Sequence, residues 1–279
     1  MDDIRYREYK ILLRPERFFD AGQFEAYWDK TRAAAKRADV GVETDRSAFK
    51  RHVREVLFYD TPDFALYANA FILRKRVFYT DGWPDARHEL TLKFRHPDLK
   101  TAAAVDVTPF TPVEAQIKFK EEILTLKDRV GGRRSLYSHT CVLTTPALEI
   151  DLGLAHIAKV FPCLNGLAPP AADAQVSLVN DLPVEEIMVE PGRLDFGHGV
   201  TANATIALWR NRATQSAIIG EFAFQTKFDD YARVDERALR RAQDFFEGTQ
   251  TGAPEWVALG KTKTAAVYAA GAKPCPNHE

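Results

Sequence analysis

A period of two in the chemistry of short segments most constrains what this chain can fold into. Residues 71–79 read Phe-Ile-Leu-Arg-Lys-Arg-Val-Phe-Tyr, and in an extended strand successive side chains point to opposite faces. Arg74 and Arg76 therefore share one face, while Phe71, Leu73, Val77 and Tyr79 share the other, interrupted only by Lys75. Alone, such a strand also fits a half-exposed antiparallel strand with its charges in water. The device recurs, however. In residues 88–95, Glu89, Thr91, Lys93 and Arg95 oppose Leu90, Leu92 and Phe94. In residues 115–124, Gln116, Lys118, Lys120 and Glu122 oppose Ile117, Phe119 and Ile123, and in residues 220–228, Glu221, Gln225 and Lys227 oppose Phe222, Phe224 and Phe228. Four such strands predict a sheet whose apolar face packs under helices. If that sheet closes, its other face becomes a charged interior. Buried unpaired cations cost several kcal/mol each, so that interior needs carboxylates or a bound anion as partners. Arginine holds phosphate oxygens with its planar fork and lysine adds compact point charge, so a polyphosphate is the natural guest, with a divalent cation on the interior carboxylates.

Bulk composition leaves that local field as the informative one. The chain has 279 residues, enough for one large domain or two small ones, and its 38 basic and 39 acidic residues give a formal net charge of -1. That balance argues against a nucleic-acid partner held by bulk electrostatics, and no nucleic acid is expected. Cys141, Cys163 and Cys275 lack metal-ligand spacing, and an odd number argues against a complete disulfide framework. No run approaches the roughly 20 apolar residues of a membrane span, and residues 1–5 lack the apolar core of a signal peptide. The expectation is a cytoplasmic protein with no membrane partner. The seven histidines form no close pair, and no nucleophilic triad, Walker loop or dinucleotide fingerprint can be assigned from spacing.

In chain order, residues 4–14 read as a first strand ended by Pro15, and residues 20–37 as a helix with Phe24, Tyr27, Trp28 and Thr31 at helical spacing and Asp20 as N-cap. A short strand at 55–59 precedes the turn Asp60-Thr61-Pro62-Asp63. The connection Asp81-Gly82-Trp83-Pro84-Asp85 makes its flanking strands antiparallel neighbours. Residues 102–107 form a weak stretch, and Gly131-Gly132 between basic residues reads as a flexible loop, with a phosphate-binding loop as the rarer alternative. Further strands are expected at 147–152, 185–189 and 204–210, a loop at 167–174, and a helix at 235–247. A final segment, 256–269, carries Lys261-Thr262-Lys263. With no repeat and no clean boundary, residues 1–279 read as a single domain with C-terminal helices.

Several of these pieces also carry a resemblance. Tyr6-Arg7-Glu8-Tyr9-Lys10 matches two positions of an opening Glu-x-Glu-x-Lys; Phe58-Tyr59-Asp60-Thr61-Pro62 leads into Leu73-Arg74-Lys75-Arg76; Leu90-Thr91-Leu92-Lys93, Asp195-Phe196-Gly197 and Gly220-Glu221-Phe222-Ala223 follow. In this order they resemble the CYTH or triphosphate tunnel metalloenzyme family, which includes thiamine triphosphatases, inorganic triphosphatases and class IV adenylyl cyclases. The resemblance implies an α+β fold, a closed eight-stranded antiparallel β-barrel flanked by helices. It implies that Arg74, Arg76 and Lys93 clamp a phosphate chain, with Lys10, Arg95, Lys118, Lys120 and Lys261 as further ligand-binding cations. Lys261 or Lys263 is similar to the lysine of the family's terminal plug. Glu8, Glu122, Glu190 and Glu221 would hold Mg²⁺ or Mn²⁺, and Glu8, Lys10 and Glu221 would be catalytic. The implied reaction is attack of water on a terminal phosphoryl group of a small triphosphate or polyphosphate. Two departures fall on carboxylates, which hard cations require: Tyr6 replaces the first glutamate of the opening motif and Ala223 the second of the late pair. Two functions therefore stay open, a metal-dependent phosphohydrolase and a non-catalytic polyphosphate- or nucleotide-binding module with a degenerate metal site.

Overall fold

Every strand that alternates in the sequence takes its place in one curved sheet. The computed structural model describes residues 4–44, 49–145, 153–167, 174–229 and 234–276. Its strands are β1 (Tyr6–Leu13), β2 (Gly41–Thr44), β3 (His52–Asp60), β4 (Phe71–Thr80), β5 (Trp83–His96), β6 (Ala115–Thr125), β7 (Arg133–Thr145), β8 (Ser177–Leu178), β9 (Val184–Asp195), β10 (Thr201–Asn211) and β11 (Ala217–Lys227). The order β9-β10-β11-β1-β6-β7-β5-β4-β3 closes on itself through a β3–β9 pairing, and β2 and β8 attach outside the ring.

The closed barrel agrees with the sequence expectation, and its strand count and directions correct it. A ring of nine strands cannot alternate in direction all the way round, so one neighbouring pair must be parallel. That pair is β1 with β6, in the register Tyr6 to Lys120 and Glu8 to Glu122. All other neighbours in the ring are antiparallel. β7 was not foreseen, because Ser135, Ser138, His139 and Thr140 put polar side chains on both of its faces and blur the period of two.

Helices α1 (Gln23–Arg37), α2 (Ala65–Ala68), α3 (Leu99–Ala104), α4 (Leu154–Val160), α5 (Glu236–Gly252) and α6 (Lys263–Tyr268) surround the ring. Apolar faces of β1, β10 and β11 pack outward under α1 and α5: Tyr9 stacks on Phe224 at 4.6 Å, and Phe24, Trp28, Phe245 and Phe246 complete this core. On another flank Leu73, Leu90, Leu92 and Cys141 meet Leu154, Ile157 and Phe161. A third cluster lies on the interior face, where Leu12, Val56, Phe58, Ile72 and Trp209 receive Val267 and Tyr268 of α6. The barrel is therefore apolar outside, apolar inside where α6 enters, and charged in the remaining interior.

Asp81 and Gly82 both adopt positive φ, 51° and 80°, as a tight I′ hairpin turn between β4 and β5 requires. Asp235 caps α5 through the Arg237 N–H. α1, by contrast, is capped at Gly22, and Asp20 instead accepts the Gly22 N–H. The weak stretch 102–107 includes the end of α3. Gly131 and Gly132 dock on α5, with Gln250 accepting from the Gly131 N–H and donating to the Gly132 carbonyl, so this loop is a structural contact. The strand expected at 147–152 lies outside the described residues.

Candidate functional site

The barrel interior opens into a cavity of about 280 Å³ whose wall gathers charge from nearly every strand. Glu8 and Lys10 of β1, Lys118, Lys120 and Glu122 of β6, and Lys93 and Arg95 of β5 share one side. Arg74 and Arg76 of β4 lie beside Arg54 of β3, and Glu186 of β9, Glu221 of β11 and Lys263 of α6 close the circle. Nine basic side chains thus face four carboxylates, a formal excess of five positive charges inside a chain whose formal net charge is -1.

Glu122 is the hub of the β1–β5–β6 side and has no exposed side-chain surface. It accepts from Lys93 Nζ at 2.7 Å and Lys10 Nζ at 3.1 Å, and Arg95 lies 3.3 Å away. Burial opposes its charge, but Arg95, Lys10 and Lys93 overcome burial and hold its carboxyl well below the usual range. Glu8 sits 3.1 Å from Lys10 and 3.5 Å from Lys120, and those two ammonium groups likewise outweigh burial and hold it low. Lys10 is raised against its burial by Glu122 and Glu8, whereas burial, then the neighbouring Arg95 and Lys10, pull Lys93 down to about 7 despite its bond to Glu122. Lys93 is thus the cation of this cluster that gives up its proton most readily.

Across the cavity Glu186 pairs with Arg54, accepts from Trp209 Nε1 at 2.7 Å, and lies 3.4 Å from Lys263 Nζ. Lys263 also reaches Glu221 at 2.6 Å and stands 4.4 Å from the Trp209 ring centre. Burial works against Glu186 as well, and Lys263, Arg54 and Arg76 reverse it.

β4 carries the least compensated charge. Arg74 has no carboxylate partner among the described residues; its contact is Thr91 Oγ1 at 3.5 Å. Arg76 reaches Glu89 at 3.5 Å. The Nε atoms of both are buried without a hydrogen-bond acceptor. Burial, then mutual repulsion with Arg54 and, for Arg74, Arg76, lowers the proton affinity of both guanidinium groups. Lys118 is lowered for the same reasons, burial and then Lys120, and has no ion-pair partner among the described residues.

Ten of the residues singled out in the sequence line this one cavity: Glu8, Lys10, Arg74, Arg76, Lys93, Arg95, Lys118, Lys120, Glu122 and Glu221. Lys261 instead is exposed and lines a separate cavity with Tyr67 and Lys127, and it is Lys263, two residues on, that enters the barrel. Glu190 is exposed and belongs to an adjoining cavity that shares Arg54 and Met188 with the tunnel. Asp195 lies at the outer end of β9 and accepts the Gly197 N–H. Sequence reading did not single out Arg54, Glu186 or Trp209. Arg54 shares its strand face with Val56 and Phe58, so no apolar-to-charged alternation marks it, and Glu185 beside Glu186 hides which of the two points inward.

The carboxylates do not fit a divalent cation. Glu8 is opposite Gln225 and Glu221 opposite Leu12, four positions apart on the β1–β11 ladder or roughly 13 Å of strand. Ala223 faces Lys10 between them, and the Tyr6 ring takes Lys120 at 5.5 Å. Glu122 and Glu186 are saturated by protein donors, and no three His, Cys, Asp or Glu side chains among the described residues converge as ligands. Mg²⁺ asks for about six oxygens in near-octahedral order, which this set does not offer.

The fold and site together define a closed mixed barrel with a cation-rich interior. No protein-family model and no curated protein sequence matches the chain. Among solved structures it is similar to a putative adenylyl cyclase, HpAC1 from Hippeastrum, described as revealing a dominant triphosphatase activity: 12% identity, 99% of this chain and 100% of that one covered, TM-score 0.45. A putative adenylate cyclase from Bacillus halodurans aligns at 13% identity over 94% of this chain and 95% of that one, TM-score 0.41. One from Vibrio parahaemolyticus aligns at 13% identity over 95% and 99%, TM-score 0.37. Similarity at this level says nothing of shared chemistry.

Proposed function

We propose that the barrel interior binds a compact polyphosphate chain, such as an inorganic triphosphate or the triphosphate of a small molecule. The observation that carries this reading is the formal excess of five positive charges, with Arg74 and Lys118 lacking an ion-pair partner among the described residues and the Nε atoms of Arg74 and Arg76 buried there without acceptors. A desolvated guanidinium without an acceptor is costly, and phosphate oxygens supply charge, acceptors and fork geometry together. Inorganic tripolyphosphate should bind in calorimetry. Arg74→Ala should weaken it more than tenfold, about 1.4 kcal/mol, as expected for loss of a charge-assisted hydrogen bond. Absence of binding by the parent chain, or equal binding by the variant, would overturn the reading.

Hydrolysis of the bound chain is a second reading, and Glu8 favours it. Both of its ion pairs use Oε2, leaving Oε1 as an open acceptor in the cavity that can orient an attacking water. Its carboxyl is held so low that it is a weak base, so catalysis here rests on positioning and on cations stabilising the transferred phosphoryl group. Phosphate release that is abolished by Glu8→Gln while tripolyphosphate binding persists is the expected result. Release that survives Glu8→Gln would remove Glu8 from the reaction.

A further inference from the structure

We infer that the Lys263 ammonium is a tethered stand-in for a divalent cation, so that this barrel takes its polyphosphate as the bare anion rather than as a magnesium complex. The inference rests on the polyphosphate reading and deepens it. Glu186 and Glu221 come from β9 and β11, with β10 between them, and are the two cavity carboxylates that a single cation bridges on this side. That cation belongs to the chain: Nζ of Lys263 lies 2.6 Å from Glu221 and 3.4 Å from Glu186, with the Trp209 ring 4.4 Å away as a third, π-face contact. Trp209 Nε1 and Arg54 take up further lone pairs of Glu186. The ammonium is fixed from behind, because Thr262 caps α6 and Val267 and Tyr268 anchor that helix in the interior apolar cluster.

The remaining carboxylates offer no second place. Glu122 is shared among Lys10, Lys93 and Arg95, and Glu8 between Lys10 and Lys120. A divalent ion entering the barrel would find at Glu8 only the single oxygen Oε1, with Glu122 beside it saturated, and would have to evict Lys263 to reach a pair of carboxylates; either way it would add charge to a cavity with a formal excess of five positive charges. A bare polyphosphate relieves that excess, and its magnesium complex, two negative charges weaker, relieves less of it.

Two measurements on the intact chain decide the matter. In titrations followed by electron paramagnetic resonance, Mn²⁺ should remain free in the presence of the parent protein, and one tightly held Mn²⁺ per chain would overturn the inference. Lys263→Met, which vacates the bridging position, should take up one Mn²⁺. A variant that keeps the parent's circular dichroism yet leaves Mn²⁺ free would show that Glu186 and Glu221 are no cation site, and this too would overturn it. In calorimetry, inorganic tripolyphosphate should bind at least tenfold more tightly in EDTA than with excess Mg²⁺. Binding only with Mg²⁺ sinks the inference and leaves the polyphosphate reading standing. Binding in neither buffer sinks the polyphosphate reading, and the Mn²⁺ titration still decides the role of Lys263.

Discussion

Lys93 is where single-residue chemistry reaches ligand binding. In the free protein its ammonium is pulled down to about 7 from an ordinary 10.5, burial being the first cause and Arg95 and Lys10 the next. A polyanion beside it favours the charged form, so above about pH 7 binding must take up a proton, and affinity should fall as pH rises through that range. The slope attributable to one proton is up to about tenfold per pH unit. Calorimetry of tripolyphosphate between pH 6 and pH 9 should show this steepening in the parent and a flatter profile in Lys93→Met; equal profiles would place the titration elsewhere. The same residue illustrates what sequence could and could not say. Its place on the charged face of β5 followed from alternation with Leu90, Leu92 and Phe94, whereas its depressed proton affinity required knowing that Arg95, Lys10 and Glu122 surround it.

At the scale of elements, the Asp60-Thr61-Pro62-Asp63 turn holds three pieces together. The buried Asp60 carboxylate accepts the N–H groups of Thr61 at 2.7 Å, Leu66 at 2.8 Å and Tyr67 at 2.9 Å, and the Tyr268 hydroxyl at 2.9 Å. It thereby ties the end of β3 to α2 and to α6, the helix that carries Lys263. Asp60→Ala leaves these buried donors without an acceptor, and at about 1–3 kcal/mol for each uncompensated group a loss of roughly 3 kcal/mol or more is expected. Urea unfolding measures it, with a smaller loss for Asp60→Asn, which keeps one acceptor oxygen. A variant as stable as the parent would mean that water replaces the carboxylate. The turn itself was legible from Asp, Thr and Pro. Its reach to Tyr268, 208 residues further on, was not, since no local signal encodes a partner so distant in sequence.

For the whole molecule, sequence by itself determined that several strands carry apolar residues on one face and charge on the other, because side-chain direction alternates with every residue whatever the strand's neighbours are. From that alone it followed that the apolar faces need helices over them and that a closed sheet would have a charged interior. Ten of the twelve residues singled out as site candidates line one cavity; eight of them, on β4, β5, β6 and β11, were identifiable by this alternation, and Glu8 and Lys10 by the resemblance of the opening motif. Ring size, the parallel β1–β6 pair and the inclusion of β7 were decided only by tertiary closure, since strand order is a matter of which edges meet. The choice between Lys261 and Lys263 was likewise open in the sequence. It was settled where Thr262 caps α6 and the helix packs against Phe58 and Trp209, turning Lys263 inward to the carboxylates and leaving Lys261 at the surface. Which carboxylate meets which cation depends on register across strands far apart in the chain, and a linear sequence carries no register between them.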